Sequence, residues 1–169
     1  MKTRFYTHLA TPIGTLLLAA DAGGLQQIVF STNGHPARPD SEWQENPAAF
    51  GGVVRQLRAY FAGELETFDL SLAPQGTPFQ QKVWSELLKI PYGRTISYGE
   101  LARRIGNPNA SRAVGLANGS NPIPIVIPCH RVIGSNGKLT GYGGGLAIKE
   151  KLLALEKRQL RLLEMPAHA

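Results

Sequence analysis

Cys129 is the only cysteine in 169 residues, and an imidazole, His130, and a guanidinium, Arg131, follow it directly. Neighbours of these types lower a thiol's pKa and raise the fraction of thiolate, the form that attacks carbon. The residue types therefore point to nucleophilic chemistry at sulfur, weighed against the plainer reading of a lone cysteine as a small buried hydrophobe. The cysteine lies in Asn121-Pro122-Ile123-Pro124-Ile125-Val126-Ile127-Pro128-Cys129-His130-Arg131-Val132. Prolines at 122, 124 and 128 forbid a helix here and bias the residues before them toward extended geometry. A stiff, buried, extended arm is expected, holding Cys129 in a fixed place.

Composition narrows the rest. One cysteine excludes an internal disulfide and any multi-cysteine zinc site, and the histidines at 8, 35, 130 and 168 lack ligand spacing, so neither metal nor cofactor is expected. No apolar run approaches the roughly 18 residues of a spanning helix, and the N-terminal Met-Lys-Thr-Arg-Phe-Tyr-Thr-His lacks the apolar core of a secretion signal. A cytoplasmic protein with no membrane partner is expected. At 43% hydrophobic, the chain can bury a real core, in one domain or two small ones. The net charge of +6 is uneven. Residues 1–74 carry 5 Lys and Arg against 7 Asp and Glu, a net of −2, and residues 75–169 carry 13 against 5, a net of +8. A basic half-chain favours a polyanionic partner over a merely solvated surface.

The elements that must hold the cysteine can be read in order. Residues 5–10, 15–20 and 26–31 alternate as short strands separated by Pro12-Ile13-Gly14 and Ala22-Gly23-Gly24, which predicts a three-stranded meander. Residues 33–47 should be an exposed loop. Val53, Val54, Leu57, Tyr60 and Phe61 recur at helical spacing up to Gly63, and residues 65–72 alternate as a further strand. No catalytic group assembles in this half, whose expected role is to brace the second.

The second half, from about Pro74, opens on a capping box, with Thr77 as N-cap, Pro78 at the first helical position and Gln80 reaching back. That helix should end near Pro91. A second capping box at Ser97-Tyr98-Gly99-Glu100 leads into a helix stopped by Gly106, and Asn109 to Ala117 forms another. Helix, short turn, helix is a helix-turn-helix pattern. Its second helix is built of small residues around Arg112. Ala110, Ala113 and Ala117 suit either tight packing on the preceding helix or a shallow minor-groove contact, and the basic half-chain favours DNA.

Residues 121–134, Asn-Pro-Ile-Pro-Ile-Val-Ile-Pro-Cys-His-Arg-Val-Ile-Gly, resemble the active-site signature of the O6-alkylguanine-DNA alkyltransferases, the suicide proteins that remove alkyl groups from guanine O6. The resemblance extends to Thr77-Pro78-Phe79-Gln80, Ser97 to Ala102, Ser111 to Gly115 and Gly141 to Glu150, so it covers nearly all of 75–169. In the first half it is similar only in outline, at Ala10 to Gly14 and Leu57 to Gly63. With no spare cysteine for a zinc-stapled first domain, the chain resembles the metal-free bacterial type. The fold this implies is α+β: residues 1–74 form a small antiparallel sheet plus helix with a ribonuclease H-like outline, and residues 75–169 a mostly helical, winged-helix-like domain with the helix-turn-helix.

The resemblance also implies roles. Cys129 would accept the alkyl group, His130 would be a water-linked base, Glu156 the carboxylate orienting it, and Asn121 the tie between the cysteine arm and the helix-turn-helix. Tyr98 would assist base rotation and hydrogen-bond guanine, and Arg112 would enter the stack in place of the flipped nucleotide. Tyr142, Gly143 and Lys149 would wall the pocket, with Gly143 replacing the serine of some members and the Gly143-Gly144-Gly145 run making that wall roomier. The implied partner is duplex DNA containing O6-alkylguanine, with O4-alkylthymine left open as a second lesion. The protein is expected to be a monomer, with cooperative clustering on DNA also left open. Sulfur chemistry agrees, because a thioether has no easy leaving group and the product cannot turn over. Two other readings stand beside this one: a damage sensor of the same fold without chemistry, and a thiol hydrolase carrying a basic helical domain.

Overall fold

The computed structural model describes residues 2–164, with side chains described as far as Leu160, and His168 lies outside them. The meander forms as expected: β1 (Phe5–Thr11), β2 (Gly14–Asp21) and β3 (Gly24–Val29) pair antiparallel in succession. Side chains close both turns. Thr11 Oγ1 accepts from the Ile13 amide and donates to the Gly14 carbonyl, and Asp21 Oδ1 accepts from the Gly23 amide. Gly24 is required where it stands, since its φ is +135° and a Cβ would lie 2.4 Å from the Ser71 carbonyl oxygen. The middle strand is covered on both faces, with Leu16, Leu17, Leu18 and Ala19 all buried.

Two expectations for the first half are corrected. The segment 33–47 is not wholly a loop, because β4 (Gln44–Glu45) pairs parallel to β1 and completes a sheet of order β3-β2-β1-β4. Its ladder is short, with the Gln44 amide on the Arg4 carbonyl and the Asn46 amide on that of Tyr6. Conversely, residues 65–72 form no strand. Their alternation is real as burial, with Leu65, Phe68, Leu70 and Leu72 packed on the core, but the backbone takes other partners. The Gln56 side chain bonds both the amide and the carbonyl of Asp69, and Leu72 makes only an isolated bridge to Leu25. Gln56 belongs to α1 (Gly51–Phe61), the helix expected from the Val53 to Phe61 spacing.

In the second half α2 (Pro78–Leu87) starts on the complete capping box: Thr77 Oγ1 accepts from the Gln80 amide at 3.1 Å and Gln80 Oε1 from the Thr77 amide at 2.9 Å. Then come β5 (Ile96–Ser97), α3 (Tyr98–Arg104), α4 (Ser111–Gly119), a 3-10 turn (Cys129–Arg131), β6 (Val132–Ile133) parallel to β5, and α5 (Leu146–Glu164). The second capping box is only half made. Ser97 Oγ accepts from the Glu100 amide, but the Glu100 carboxylate turns outward to Arg103 and Arg104. Trp84 Nε1 donates to the Ala117 carbonyl at 2.9 Å, locking α2 to α4.

One hydrophobic cluster runs through both halves, from Leu16, Leu57 and Tyr60 to Val83, Leu101, Ile127 and Leu152. The Ile28 amide donates to the Pro122 carbonyl at 2.9 Å, so the end of β3 is tied to the cysteine segment itself. Among the described residues, no helix is long and apolar enough to cross a membrane.

Because the Thr77 hydroxyl satisfies an amide that the helix itself cannot, Thr77→Ala is expected to cost about 1 kcal/mol. Urea unfolding checks this, as a lower midpoint with an unchanged slope.

Candidate active site

The cysteine segment is buried as expected but is not extended. Asn121 folds it: Nδ2 donates to the Ile127 carbonyl at 2.8 Å and Oδ1 accepts from the Ile123 amide at 3.0 Å, while the Ile127 amide reaches the Ile123 carbonyl. This winding forces Ile125 to φ +75°, an unfavourable region for a β-branched residue, and the fully buried side chain keeps it there. Prolines excluded the α-helix but not successive turns. The Asn121 side chain thus bonds within its own segment, its amide donates to the Asn118 carbonyl of α4 at 3.4 Å, and Asn118 Nδ2 adds a second tie, 3.4 Å from the Cys129 carbonyl.

Of the neighbours expected to activate the thiol, Arg131 is committed elsewhere. Arg131 donates from Nε to Glu156 Oε1 at 2.8 Å and from Nη1 to the Ile90 carbonyl at 2.7 Å. Burial instead pushes the Cys129 thiol up to about 11, with the Asn121 side chain and the Lys149 charge pulling weakly the other way. At rest the sulfur is a thiol, 4% exposed.

What could deprotonate it is organised by Glu156, fully buried on α5. Its Oε2 takes His130 Nε2 at 2.5 Å and the Tyr60 hydroxyl at 2.6 Å, and its Oε1 takes Arg131 Nε and the Gly93 amide at 3.1 Å. Burial opposes charge on Glu156, but the hydrogen bond from His130 and the hydrogen bond and charge of Arg131 outweigh it and hold the carboxyl down to about 2. An ionised carboxylate only accepts, so His130 Nε2 carries the hydrogen. Burial also lowers the pKa of His130 and keeps the ring neutral. Its Nδ1 is then a bare lone pair, buried and without a partner among the described residues. The assembly holds a base with one tautomer and an unused acceptor, one residue from the nucleophile.

Cys129 opens on a cavity of about 240 Å³, below the roughly 300–1,000 Å³ of drug-sized sites and on the scale of a single base. Tyr142 and Gly143 line it as expected, and so do Phe30, Thr32, Asn118 and Asn121. The glycine wall needs a glycine at 144, where a Cβ would lie 2.9 Å from the Phe30 ring, whereas at Gly143 a Cβ would meet nothing within 4 Å. Lys149 is not part of the lining. It is fully buried beneath the wall, donating to the Val132 and Thr140 carbonyls at 2.7 and 2.9 Å, and so braces it.

Tyr98, Ala110, Arg112 and Ala113 do not line the cavity, although Asn118 and Gly119 of α4 do. Val114, Ala117 and Asn118 turn inward from α4; Arg112, Ala113 and Leu116 face solvent, Leu116 at 70% exposure, and Ala110 is half-buried at the helix start. Of the alanines weighed for tight packing, only Ala117 is fully committed to it. Tyr98 is half-buried at the start of α3 and donates to the Thr140 carbonyl at 3.3 Å.

Sequence reasoning missed Tyr60, Phe30 and Asn118. Tyr60 and Phe30 look like ordinary apolar positions, with partners far along the chain, and carry no local signal. Asn118 falls on the buried face of its helix, which was the available clue, as it was for Glu156 and Lys149 at seven-residue spacing with Leu152 between them.

Residues 4–74 match the family model described as the ribonuclease-like domain of 6-O-methylguanine DNA methyltransferase, and residues 78–158 the model for its DNA-binding domain. The methylated-DNA–protein-cysteine methyltransferase of Methanosarcina acetivorans is 57% identical over 152 residues, covering 90% of this chain and 97% of the relative. That of Mycobacterium tuberculosis is 56% identical over 153 residues, covering 90% and 92%. The crystal structure of Mycobacterium tuberculosis OGT in complex with DNA superposes with a TM-score of 0.86 at 54% identity, covering 92% of this chain and 94% of that one. With both halves matched, and nearly whole relatives aligned at better than half identity, the chain belongs to the 6-O-methylguanine DNA methyltransferase family.

Proposed function

We propose that this protein repairs DNA by taking the alkyl group of O6-alkylguanine irreversibly onto Cys129. The observation that carries this reading is the thiol at a base-sized cavity beside a neutral His130 whose Nδ1 lone pair is unused. The thiol proton passes to His130 Nδ1 through a water, the sulfur bonds the alkyl carbon, and the C–O6 bond breaks with its electron pair left on guanine. Guanine then takes up a proton. A hydroxyl donor stabilises the charge developing there, and Tyr98 is suited to this, since its present 3.3 Å bond is long for O–H···O and easily exchanged. The target atom lies inside the duplex stack, so the nucleotide must be extruded, with α4 at the groove and Arg112 filling the gap.

Incubation with duplex DNA containing O6-methylguanine should add the mass of one methyl group to Cys129 and then stop. Cys129→Ser should abolish transfer while duplex binding stays within a few-fold. An unmodified parental protein would indicate a sensor, and repeated turnover a hydrolase; either outcome overturns the proposal.

Glu156→Gln removes the negative charge that fixes the imidazole and replaces one acceptor oxygen by a donor, and should slow transfer by roughly one to three orders of magnitude. The pH dependence of stability isolates the same group. Its pKa is about 2 in the fold and 4.5 ordinarily, so its contribution is complete above about 4.5 and lost as pH falls toward 2. Urea midpoints of the parent should therefore fall more steeply than those of Glu156→Gln across that window.

Arg112→Ala should lose most activity on duplex DNA at saturating protein, yet react normally with free O6-benzylguanine, because unstacking costs a few kcal/mol that nothing then offsets. If Arg112 only contacts phosphate, saturation restores the parental single-turnover rate and the salt slope falls by about one.

A further inference from the structure

The first half was expected only to brace the second, yet one of its side chains enters the catalytic network. Tyr60, fully buried on α1, donates its hydroxyl to Glu156 Oε2 at 2.6 Å, across 96 residues of chain. The ring is fixed on several sides: edge-on to Phe61 and Tyr92, with centroids 5.3 and 6.3 Å away, and tilted against Phe68 at 5.5 Å. The oxygen it reaches is the one His130 Nε2 uses.

We propose that Tyr60 is a positioning residue for alkyl transfer, fixing the Glu156 carboxylate and, by sharing Oε2 with His130, setting how strongly Glu156 attracts a proton onto the imidazole. This rests on His130 acting as the base, as above. Hydrogen bonding to an anion disperses its charge, so every donor on Oε2 weakens the pull on an imidazolium. Burial and the Glu156 charge raise the Tyr60 phenol far above its ordinary range, so it remains a donor at every working pH. The other groups facing this pair are already placed. Arg131 and the Gly93 amide hold Oε1, and Lys149 from α5 and Arg131 both disfavour a charged His130. Tyr92 lies under the Arg131 guanidinium and against Tyr60, with the Glu66 charge acting on it. Among the described residues, Tyr60 is thus the one donor side chain on Oε2 besides His130, and removing its hydroxyl leaves that oxygen's charge to His130 alone.

The sign follows. Without the Tyr60 hydroxyl, a protonated His130 is better stabilised, and the free protein loses its base at a higher pH. The test is the second-order rate of Cys129 alkylation by O6-benzylguanine against pH, for the parent, for Tyr60→Phe and for protein carrying 3,5-difluorotyrosine at position 60. The free base takes DNA binding out of the comparison. Tyr60→Phe should move the acidic limb up by about half a pH unit or more, and the fluorinated phenol, a stronger donor, should move it down. A purely structural tyrosine would change stability and leave the limb in place. Limbs that stay at the parental pH, or that move the same way in both variants, overturn the proposal. The fluorinated protein keeps the hydroxyl, so it decides the matter even if Tyr60→Phe folds poorly. A parental protein that leaves benzylguanine unreacted overturns the transfer reading itself.

Discussion

A carboxylate sealed from water is the constraint around which this protein is arranged. Burying the Glu156 charge without partners would cost several kcal/mol, so the fold must bring donors to it from wherever the chain can supply them. Four donors come from three places: Tyr60 on α1, Gly93 after α2, and His130 and Arg131 from the 3-10 turn meet the anion on α5. Such a network strongly favours completeness, because each missing donor would leave charge unpaired in a low-dielectric interior. The first half is therefore joined to the second by more than apolar packing.

The same network resolves a tension in the nucleophile. Cys129 sits in surroundings that favour the thiol, with burial raising it to about 11, although its reaction requires a thiolate. Thiolate character and access govern adventitious oxidation, so a buried thiol is a protected one. That protection matters for a protein whose sulfur is consumed once. In the proposed function, proton removal is left to His130, neutral and locked in one tautomer by Glu156. Reactivity then arises when a substrate occupies the cavity, where desolvation of both partners strengthens the interactions between them.

In the proposed function, recognition and chemistry fall on opposite sides of one short helix. α4 turns Arg112, Ala113 and Leu116 outward, and turns inward Asn118, which reaches the Cys129 carbonyl, and Ala117, whose carbonyl takes the Trp84 indole. The inward bonds fix that outer surface relative to the sulfur. The pocket wall is assembled in a similar way from distant segments, with Phe30 at the end of the first sheet packed on Tyr142 and Gly144.

What could be read from the chain alone was local. Three strands, four helices, the Thr77 cap and the Cys129-His130 pair follow from spacing, capping chemistry and residue type, which depend on neighbours a few positions away. Tertiary structure decided whatever depended on distant partners. β4 exists because β1 offers it an edge, and residues 65–72 lost their strand because Gln56 took the backbone groups of Asp69. Arg131 seemed placed to activate the thiol, but a buried carboxylate 25 residues on was the stronger partner. Tyr60 looked like a core aromatic because nothing in its own helix reveals the anion its hydroxyl meets. Sequence patterns carry the period of a helix or strand; the pairing of a buried donor with a buried charge is determined only when folding closes the distance between them.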